Sequence, residues 1–305
     1  MLHRSQPATF SDNFRGAAYM TASMLAFSIN DLIMKFIGGS LNLGQAVMIR
    51  GLFASMVIFA LAWKLGQMRP LSHALKPLLF MRACGEAMAT FLFIKALFHM
   101  PMANLSAIMQ SLPLALTLSA AFFFGEHVGW RRYTAIFFGI LGVLMIVRPG
   151  LTGFNVYSVY VLGAVAGCVI RDLATRRLSG DVPSLFITLV TALFVTIMGA
   201  GVAFFEDWRP VEWHHLLFLG STSLFLMYGY FSTVAAVRIG DIGFVSPFRY
   251  SILIFAIAGA WLFFSEIPDT MTLAGSLVVV ATGIYTLYRE HVARRQAITP
   301  APARV

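Results

Sequence analysis

The sequence predicts an all-α integral membrane protein, with ten transmembrane helices arranged as two inverted five-helix repeats. Two observations lead to this prediction: the apolar composition and an internal repeat. Of the 305 residues, 59% are hydrophobic and 11% are charged, whereas about a quarter of the residues in a soluble domain are charged. So few charges cannot cover a water-facing surface of this size. Apolar runs of about 20 residues between short polar breaks indicate membrane-spanning helices rather than a β-barrel.

Ten apolar runs are long enough to cross a bilayer as helices, and short loops connect them. They cover about residues 16–36, 43–65, 78–98, 102–123, 132–148, 156–174, 182–204, 215–237, 242–264 and 271–288. The short loops predict a compact bundle. Cys84 and Cys168 both fall within apolar spans, so they predict neither a disulfide framework nor a metal-binding pair.

The chain contains an internal repeat. An offset of 140 residues places Ala96–Glu126 on Ala236–Glu266 without a gap. Among the identities that result, Ala96, Ser106, Ala120, Phe123, Phe124 and Glu126 meet Ala236, Ser246, Ala260, Phe263, Phe264 and Glu266. An offset of 141 places Ile29–Leu32 on Ile170–Leu173, Lys35 on Arg176 and Gly39 on Gly180.

The repeat divides the chain into residues 16–148 and 156–288, with tails at 1–15 and 289–305. Because five spans is an odd number, the second half must lie upside down relative to the first. Inverted repeats of this kind are common in secondary transporters, in which two halves rock around a site near the bilayer midplane.

Basic residues are concentrated in the tails and in alternate loops, and this distribution predicts the orientation. One side holds fifteen of them: Arg4, Arg15, Lys64, Arg69, Lys76, Arg131, Arg132, Arg171, Arg176, Arg177, Arg238, Arg289, Arg294, Arg295 and Arg304. The other side holds four: Lys35, Lys95, Arg148 and Arg209. Both termini are therefore predicted to lie in the cytoplasm, with the bundle in the inner membrane. This scatter explains the net charge of +9 without a nucleic-acid partner.

Several motifs resemble a known family. They are Pro113 and Glu126 in the fourth span with its Phe-Phe-Gly-Glu ending, Glu266 after the ninth span, and the pairs Gly139/Gly142 and Gly275/Gly283. From about Gly16 to Tyr288, the chain resembles the ten-span EamA branch of the drug/metabolite transporter superfamily. The residues Asn30, Asp31, Lys35, Arg50 and Pro247–Tyr250 more specifically resemble alphaproteobacterial-type importers of S-adenosylmethionine and riboflavin.

Arg50 and Arg249 each lie about seven residues inside a predicted span. An arginine at the bilayer centre costs roughly 2.5–3.5 kcal/mol on insertion scales. Each is therefore a candidate for contact with substrate in a central cavity; the alternatives are snorkelling or a structural pair with Asp31 or Glu86. Pro247 removes a backbone hydrogen bond near Arg249, which either exposes a carbonyl to substrate or only kinks the helix.

Asp31–Lys35 and Asp172–Arg176 are spaced to form ion pairs on one helix face. Because the halves are inverted, these pairs are candidate gates at opposite mouths, or they are ordinary charges near helix ends. Glu86 is expected to pair with Arg82 or Lys95, and Glu86 or Asp31 is a candidate for proton coupling.

Further candidate residues are polar or aromatic. Gln110 lies beside Pro113 in the fourth span, at a second predicted kink. Tyr228 and Tyr250 belong to a set of aromatic residues in the third, eighth and ninth spans, which line the cavity in the family resembled: Phe91, Phe93, Tyr228, Tyr230, Phe231, Phe248 and Tyr250. Their rings favour a flat aromatic substrate.

The resemblance implies a secondary transporter of a small polar, partly aromatic metabolite, with riboflavin uptake first and S-adenosylmethionine uptake second. Export of amino acids or related metabolites is the general alternative, and a passive channel or a membrane scaffold is the alternative of another class. The chain shows no zinc motif, phosphate-binding glycine loop or CxxC pair, so we expect no enzyme, no metal and no cofactor. The expected partners are substrate, lipid and a second copy in a homodimer.

Overall fold

The computed structural model describes residues 9–70, 74, 76–125, 129–150, 154–178 and 182–298. Glu126 and Gly180 of the sequence repeat, and residues 1–8 and 299–305 of the two tails, lie outside the described residues. The helices are α1 Phe10–Ile37, α2 Leu43–Lys64, α3 Pro77–Leu97, α4 Met102–Met109, α5 Leu112–Phe124, α6 Trp130–Val147, α7 Tyr157–Arg177, α8 Ser184–Phe204, α9 Trp213–Ile239, α10 Ile242–Val245, α11 Ser251–Phe264 and α12 Thr270–Ile298.

The predicted all-α membrane fold is confirmed. Ten helices in the described part of the chain are long and apolar enough to cross a bilayer. Eight are continuous, and two are composite: α4 and α5 form the fourth span, while α10, a 3₁₀ segment at Ser246–Tyr250 and α11 form the ninth.

The helices pack in pairs that reflect the inverted repeat. α1 packs along α9 and α3 along α7, whereas α2 packs against α8 and α6 against α12. Exchanging the first five spans with the last five converts the α1–α9 pair into the α7–α3 pair. The same exchange maps the other two pairs onto themselves. Two copies of one five-helix unit, related by a pseudo-two-fold axis, produce this pattern.

Glycines allow two of these pairs to approach closely. A Cβ atom on Gly142 of α6 would lie 2.9 Å from the Gly275 carbonyl oxygen on α12, and one on Gly275 would lie 2.7 Å from the Gly142 oxygen. Gly85 of α3 and Gly167 of α7 show the same reciprocal contact, at 2.8 Å each way. Small residues therefore set the backbone separation between helices of different halves.

Both composite spans are interrupted at equivalent positions of the repeat. The fourth span breaks at Gln110 and Ser111, and the 3₁₀ segment of the ninth ends at Tyr250, immediately before Ser251. Pro247 lies within that 3₁₀ segment, so the distortion predicted there is observed. Proline lacks the N–H group that an α-helix needs, and the interrupted backbone lies where transporters commonly place a binding site.

The two ends of the bundle differ in how they are packed. We call them the Lys35 end, where α1 and α11 finish, and the Arg176 end, where α7 finishes. Five apolar side chains near the Lys35 end are 0–3% exposed: Met34, Ile37, Leu41, Met100 and Met102. Near the Arg176 end, Arg176, Arg177 and Arg249 are exposed. Large apolar side chains are therefore tightly packed at the Lys35 end, whereas charged side chains are exposed near the Arg176 end.

Candidate functional site

A group of charged side chains lies between the two halves, with Arg171 of α7 at its centre. Nη1 of Arg171 lies 3.4 Å from Oε2 of Glu86 on α3, and its Nε donates a 2.7 Å hydrogen bond to Oδ1 of Asp172. All three side chains are partly exposed, between 20% and 34%. Charges of both signs are therefore partly exposed between the two halves.

Tyr230 of α9 adds an aromatic ring to these charges. Its hydroxyl is close enough to interact electrostatically with Glu86 and Arg171, and its ring meets Phe27 of α1 edge to face, with centroids 5.3 Å apart. Tyr230 remains 50% exposed. An accessible ring beside fixed charges can stack against a flat group while the charges bind a polar one.

Tyr228, also a candidate from the sequence, lies on a different face of α9 from Tyr230. Two positions along an α-helix rotate the side chain by about 200°, so Tyr228 points away from the face that carries Tyr230. It lies instead on a stripe with Leu217, Leu224 and Phe231, all 51–68% exposed. In a transmembrane helix such an apolar stripe faces lipid.

Arg249 of the ninth span lies near these charges. Its side chain is exposed, and its charge interacts with those of Asp172 and Arg171 across the boundary between the halves. Its backbone carbonyl lies 3.5 Å from Nε2 of Gln110, so the breaks of the fourth and ninth spans meet. We refer to Glu86, Arg171, Asp172, Tyr230 and Arg249 as the Arg171 cluster.

Pro247 and Tyr250, also candidates from the sequence, do not share the surroundings of Arg249. Tyr250 is 5% exposed, and its hydroxyl occupies the place that a Cβ atom on Gly283 of α12 would take. Pro247 and Tyr250 line an apolar groove between α11 and α12, together with exposed Ile254. The short 3₁₀ segment turns these side chains toward α12 and Arg249 toward the interior.

Asp31 and Arg50 lie near the Arg171 cluster, on its Lys35 side. Asp31 is 9% exposed, accepts a 2.8 Å hydrogen bond from Nδ2 of Asn30, and interacts electrostatically with Arg50 of α2. Arg50 also interacts with Tyr230 and Glu86. It therefore connects the buried Asp31 to the accessible cluster.

The predicted Asp31–Lys35 ion pair is wrong. Nζ of Lys35 lies 2.6 Å from Oε1 of Glu266, donates a 2.7 Å hydrogen bond to the Met100 carbonyl, and lies 5.3 Å from the centroid of the Phe264 ring. Oε2 of Glu266 accepts a 3.0 Å hydrogen bond from the Met102 N–H. The end of α11 thus supplies a nearer carboxylate than the preceding turn of α1.

The predicted partners of the other acidic residues also differ. Glu86, expected to pair with Arg82 or Lys95, pairs with Arg171 of the opposite half. Nε of Arg82 donates a 3.0 Å hydrogen bond to Thr175 and Nη1 donates to Thr191. Asp172, expected to pair with Arg176, pairs with its neighbour Arg171.

The guanidinium of Arg176 lies 4.8 Å from the centroid of the Phe124 ring. This contact is the repeat-related equivalent of Lys35 on Phe264, because the offsets that align the halves match Lys35 with Arg176 and Phe124 with Phe264. The inverted repeat thus extends to side-chain contacts at the two ends.

The sequence did not single out Arg171 as a candidate, and it named Tyr230 only as one of seven aromatic residues. A signal for Arg171 existed, because the first half has Asn30 at the equivalent position. Tyr230 could not be separated from Tyr228 without knowing which face of α9 turns inward. Within the described residues, no three His, Cys, Asp or Glu side chains are grouped as metal ligands would be.

Comparison with known proteins gives a consistent family. The profile of the EamA-like transporter family matches residues 14–148 and again 156–289. A crystal structure aligns with a TM-score of 0.59 and 17% identity, over 92% of this chain and 98% of that one, which is a similarity of fold.

Three curated relatives have names that state a transported solute. The pseudopaline exporter CntI of Pseudomonas aeruginosa is 27% identical, over 88% of this chain and 94% of that protein. An S-adenosylmethionine uptake transporter of Rickettsia conorii is 25% identical, over 90% and 93%. A riboflavin transporter of Vibrio cholerae is 24% identical, over 92% and 96%. Because the family profile matches the chain twice and the two matches together cover most of the chain, this ten-helix membrane protein belongs to the EamA-like transporter family.

Proposed function

We propose that the protein is a secondary transporter of a small zwitterionic metabolite that carries an aromatic group. It lies in the cytoplasmic membrane with both termini in the cytoplasm, because the basic residues of the loops and tails are concentrated at the Arg176 end. The observation that carries the proposal is the Arg171 cluster, in which accessible charges of both signs surround an exposed tyrosine ring.

The charges of the cluster suit an amino acid group. The guanidinium groups of Arg171 and Arg249, and that of Arg50 beside the cluster, can bind a substrate carboxylate through their N–H donors. The carboxylates of Glu86 and Asp172 can bind an ammonium group. Both kinds of charge lie in one partly exposed space, so a zwitterion can exchange its water shell for fixed partners of opposite sign.

The aromatic part of the substrate has its own candidate contact. The exposed Tyr230 ring is held edge to face by Phe27 and can stack on a purine or another flat ring. S-adenosylmethionine combines an adenine ring, a cationic sulfur and an amino acid group, so it uses both the ring and the charges. It is our first candidate substrate.

Riboflavin is the second candidate, although the sequence placed it first. Its flat ring suits Tyr230, and one relative is named for its transport. However, riboflavin has neither a carboxylate nor an ammonium group to pair with Arg171 and Glu86. The relative named as an exporter keeps export as the alternative direction, because the driving gradient sets the direction in a pseudo-symmetric carrier.

The closed Lys35 end favours a carrier over a passive channel. The ion pair of Lys35 with Glu266 and the buried Met34, Ile37 and Met102 close one end, while the Arg171 cluster is accessible. A site open to one side only is what alternating access requires. Membership of a transporter family likewise argues against an enzyme or a scaffold.

Counterflow in proteoliposomes tests the proposal. Labelled S-adenosylmethionine should enter vesicles faster when unlabelled S-adenosylmethionine is already inside. Arg171→Gln should reduce this exchange at least tenfold, whereas the matched change Arg131→Gln, at an exposed position of α6, should leave it within twofold. Riboflavin in the same assay decides between the candidates. Entry that does not respond to solute on the other side would indicate a channel and overturn the proposal.

A further inference from the structure

Asp31 is a buried acid with incomplete pairing. It is 9% exposed, and the hydrogen bond that it accepts comes from the neutral amide of Asn30 at 2.8 Å. Oδ1 of that amide, on a residue 3% exposed, has no hydrogen-bond partner among the described residues. A carboxylate in such surroundings is costly unless a cation pairs with it or a proton neutralises it.

Arg50 is the cation whose charge acts on Asp31, and it also acts on two residues of the Arg171 cluster. Its charge interacts with Asp31 on one side and with Glu86 and Tyr230 on the other. One guanidinium therefore lies between a buried acid and the Arg171 cluster. If a substrate carboxylate binds Arg50, Asp31 loses much of the attraction that keeps it ionised.

We propose that Asp31 binds the coupling proton, and that Asp31 and the substrate carboxylate alternate as partners of Arg50. This inference rests on the proposed function and extends it to the driving ion. When substrate arrives, its carboxylate pairs with Arg50, and one proton from the accessible side binds a carboxylate oxygen of Asp31. Release on the other side reverses both steps, so proton and substrate cross together.

The charge balance of this step is simple. Before binding, Arg50 and Asp31 together carry no net charge. After binding, the substrate carboxylate replaces the Asp31 carboxylate beside Arg50, and the added proton makes Asp31 neutral. Neutral Asp31 can donate its O–H to the free amide oxygen beside it if the Asn30 amide turns, because amide orientation follows the hydrogen-bond network. Oδ1 of Asn30 then accepts a hydrogen bond from the protonated carboxyl of Asp31.

The other charges around α1 already have partners elsewhere. On α1 itself Lys35 is held by Glu266, and on α3 Glu86 pairs with Arg171. Tyr230 of α9 acts on Arg50, and Arg249 of the 3₁₀ segment acts on Asp172. The adjoining α10 and α11 contain no ionisable residue. Arg50 is therefore the charge to which the ionisation of Asp31 responds.

Asp31→Asn separates coupling from transport, because it resembles the protonated acid permanently. In proteoliposomes with labelled S-adenosylmethionine, we expect this variant to keep counterflow within about threefold of wild type. The amount of substrate that it accumulates in an imposed pH gradient should fall at least tenfold. Asp31→Glu should restore part of the accumulation. Asp207→Asn, the same change at an exposed position, should leave both activities unchanged.

The outcomes distinguish this proposal from the proposed function. Failure of wild-type counterflow would remove the substrate assignment. If Asp31→Asn still accumulates substrate at the wild-type level in a pH gradient, proton binding at Asp31 is overturned. The same holds if Asp31→Asn loses both activities and Asp31→Glu restores neither. Infrared spectroscopy tests the proton site without any substrate. A carboxylic acid band should titrate in wild type and be missing from Asp31→Asn; an unchanged band in the variant would also overturn it.

Discussion

Nζ of Lys35 lies 2.6 Å from Oε1 of Glu266, and this ion pair joins α1 of the first half to the end of α11 in the second. The same two residues hold the turn between α3 and α4, since Lys35 donates to the Met100 carbonyl and Glu266 accepts from the Met102 N–H. Their side chains are 10% and 24% exposed. Opening the Lys35 end must break these contacts together, so the pair stabilises the conformation in which this end is closed.

Lys35→Met should shift the molecule toward opening at the Lys35 end, because the substitution removes the ion pair but keeps a long apolar stem. We expect a several-fold faster reaction of Ile37→Cys, a position 0% exposed in the closed structure, with a membrane-impermeant maleimide. Lys64→Met, at an exposed position at the opposite end, should not change the rate. An unchanged rate in Lys35→Met would mean that apolar packing alone closes this end.

Tyr230→Ala should raise the KM for an aromatic substrate by roughly 5- to 150-fold, because a stacked ring contributes about 1–3 kcal/mol. The matched variant Tyr228→Ala removes the same side chain from the lipid-facing stripe of α9 and should change KM less than twofold. Initial uptake rates over a range of substrate concentrations provide the measurement. Equal effects of the two variants would contradict the assignment of faces on α9.

The ion pair between Glu86 and Arg171 should couple the two residues energetically. Removing one partner of a buried pair costs about 3–5 kcal/mol because a charge is left unpaired, and the partial exposure of this pair reduces that figure. We expect Glu86→Gln to lower the unfolding temperature in detergent by more than Glu86→Gln combined with Arg171→Gln. Additive effects in this double-mutant cycle would show that the two side chains do not interact.

Arg148 and Asp269 should make stability depend on pH in the acid range. The pKa of Asp269 is lowered from 3.8 to about 2. The main cause is the hydrogen bond that Arg148 donates to it, and the next is the hydrogen bond from the Thr272 N–H. A lowered pKa means that the stabilisation is fully present above pH 3.8 and is lost as the pH falls through about 2. Asp269 is 53% exposed, so solvent screening keeps the effect small.

Asp269→Asn should therefore be less stable than wild type above about pH 4, and the difference should shrink toward zero as the pH falls through about 2. Thermal unfolding in detergent across this range provides the measurement, and Asp207→Asn serves as the control at another exposed position. A stability difference that does not vary with pH would contradict the pairing of Asp269 with Arg148.

Much of the architecture was predictable because it depends on composition and periodicity. Bilayer thickness requires apolar runs of a set length, and the offset of 140 residues aligns the fourth span with the ninth, which are the two interrupted spans. Arg249 and Asp31 became candidates because an ionisable side chain within an apolar span needs a polar partner.

The sequence by itself therefore determined ten helices, their inverted repeat and the few polar residues within them. Only the tertiary structure decided which of these residues meet. Lys35 pairs with Glu266 rather than Asp31, Glu86 pairs with Arg171, and Tyr230 rather than Tyr228 reaches the charges. The physical reason is that spacing along one helix defines only its faces. The rotation and depth of each helix against its neighbours decide which face turns inward, and they depend on the packing of residues far apart in the chain.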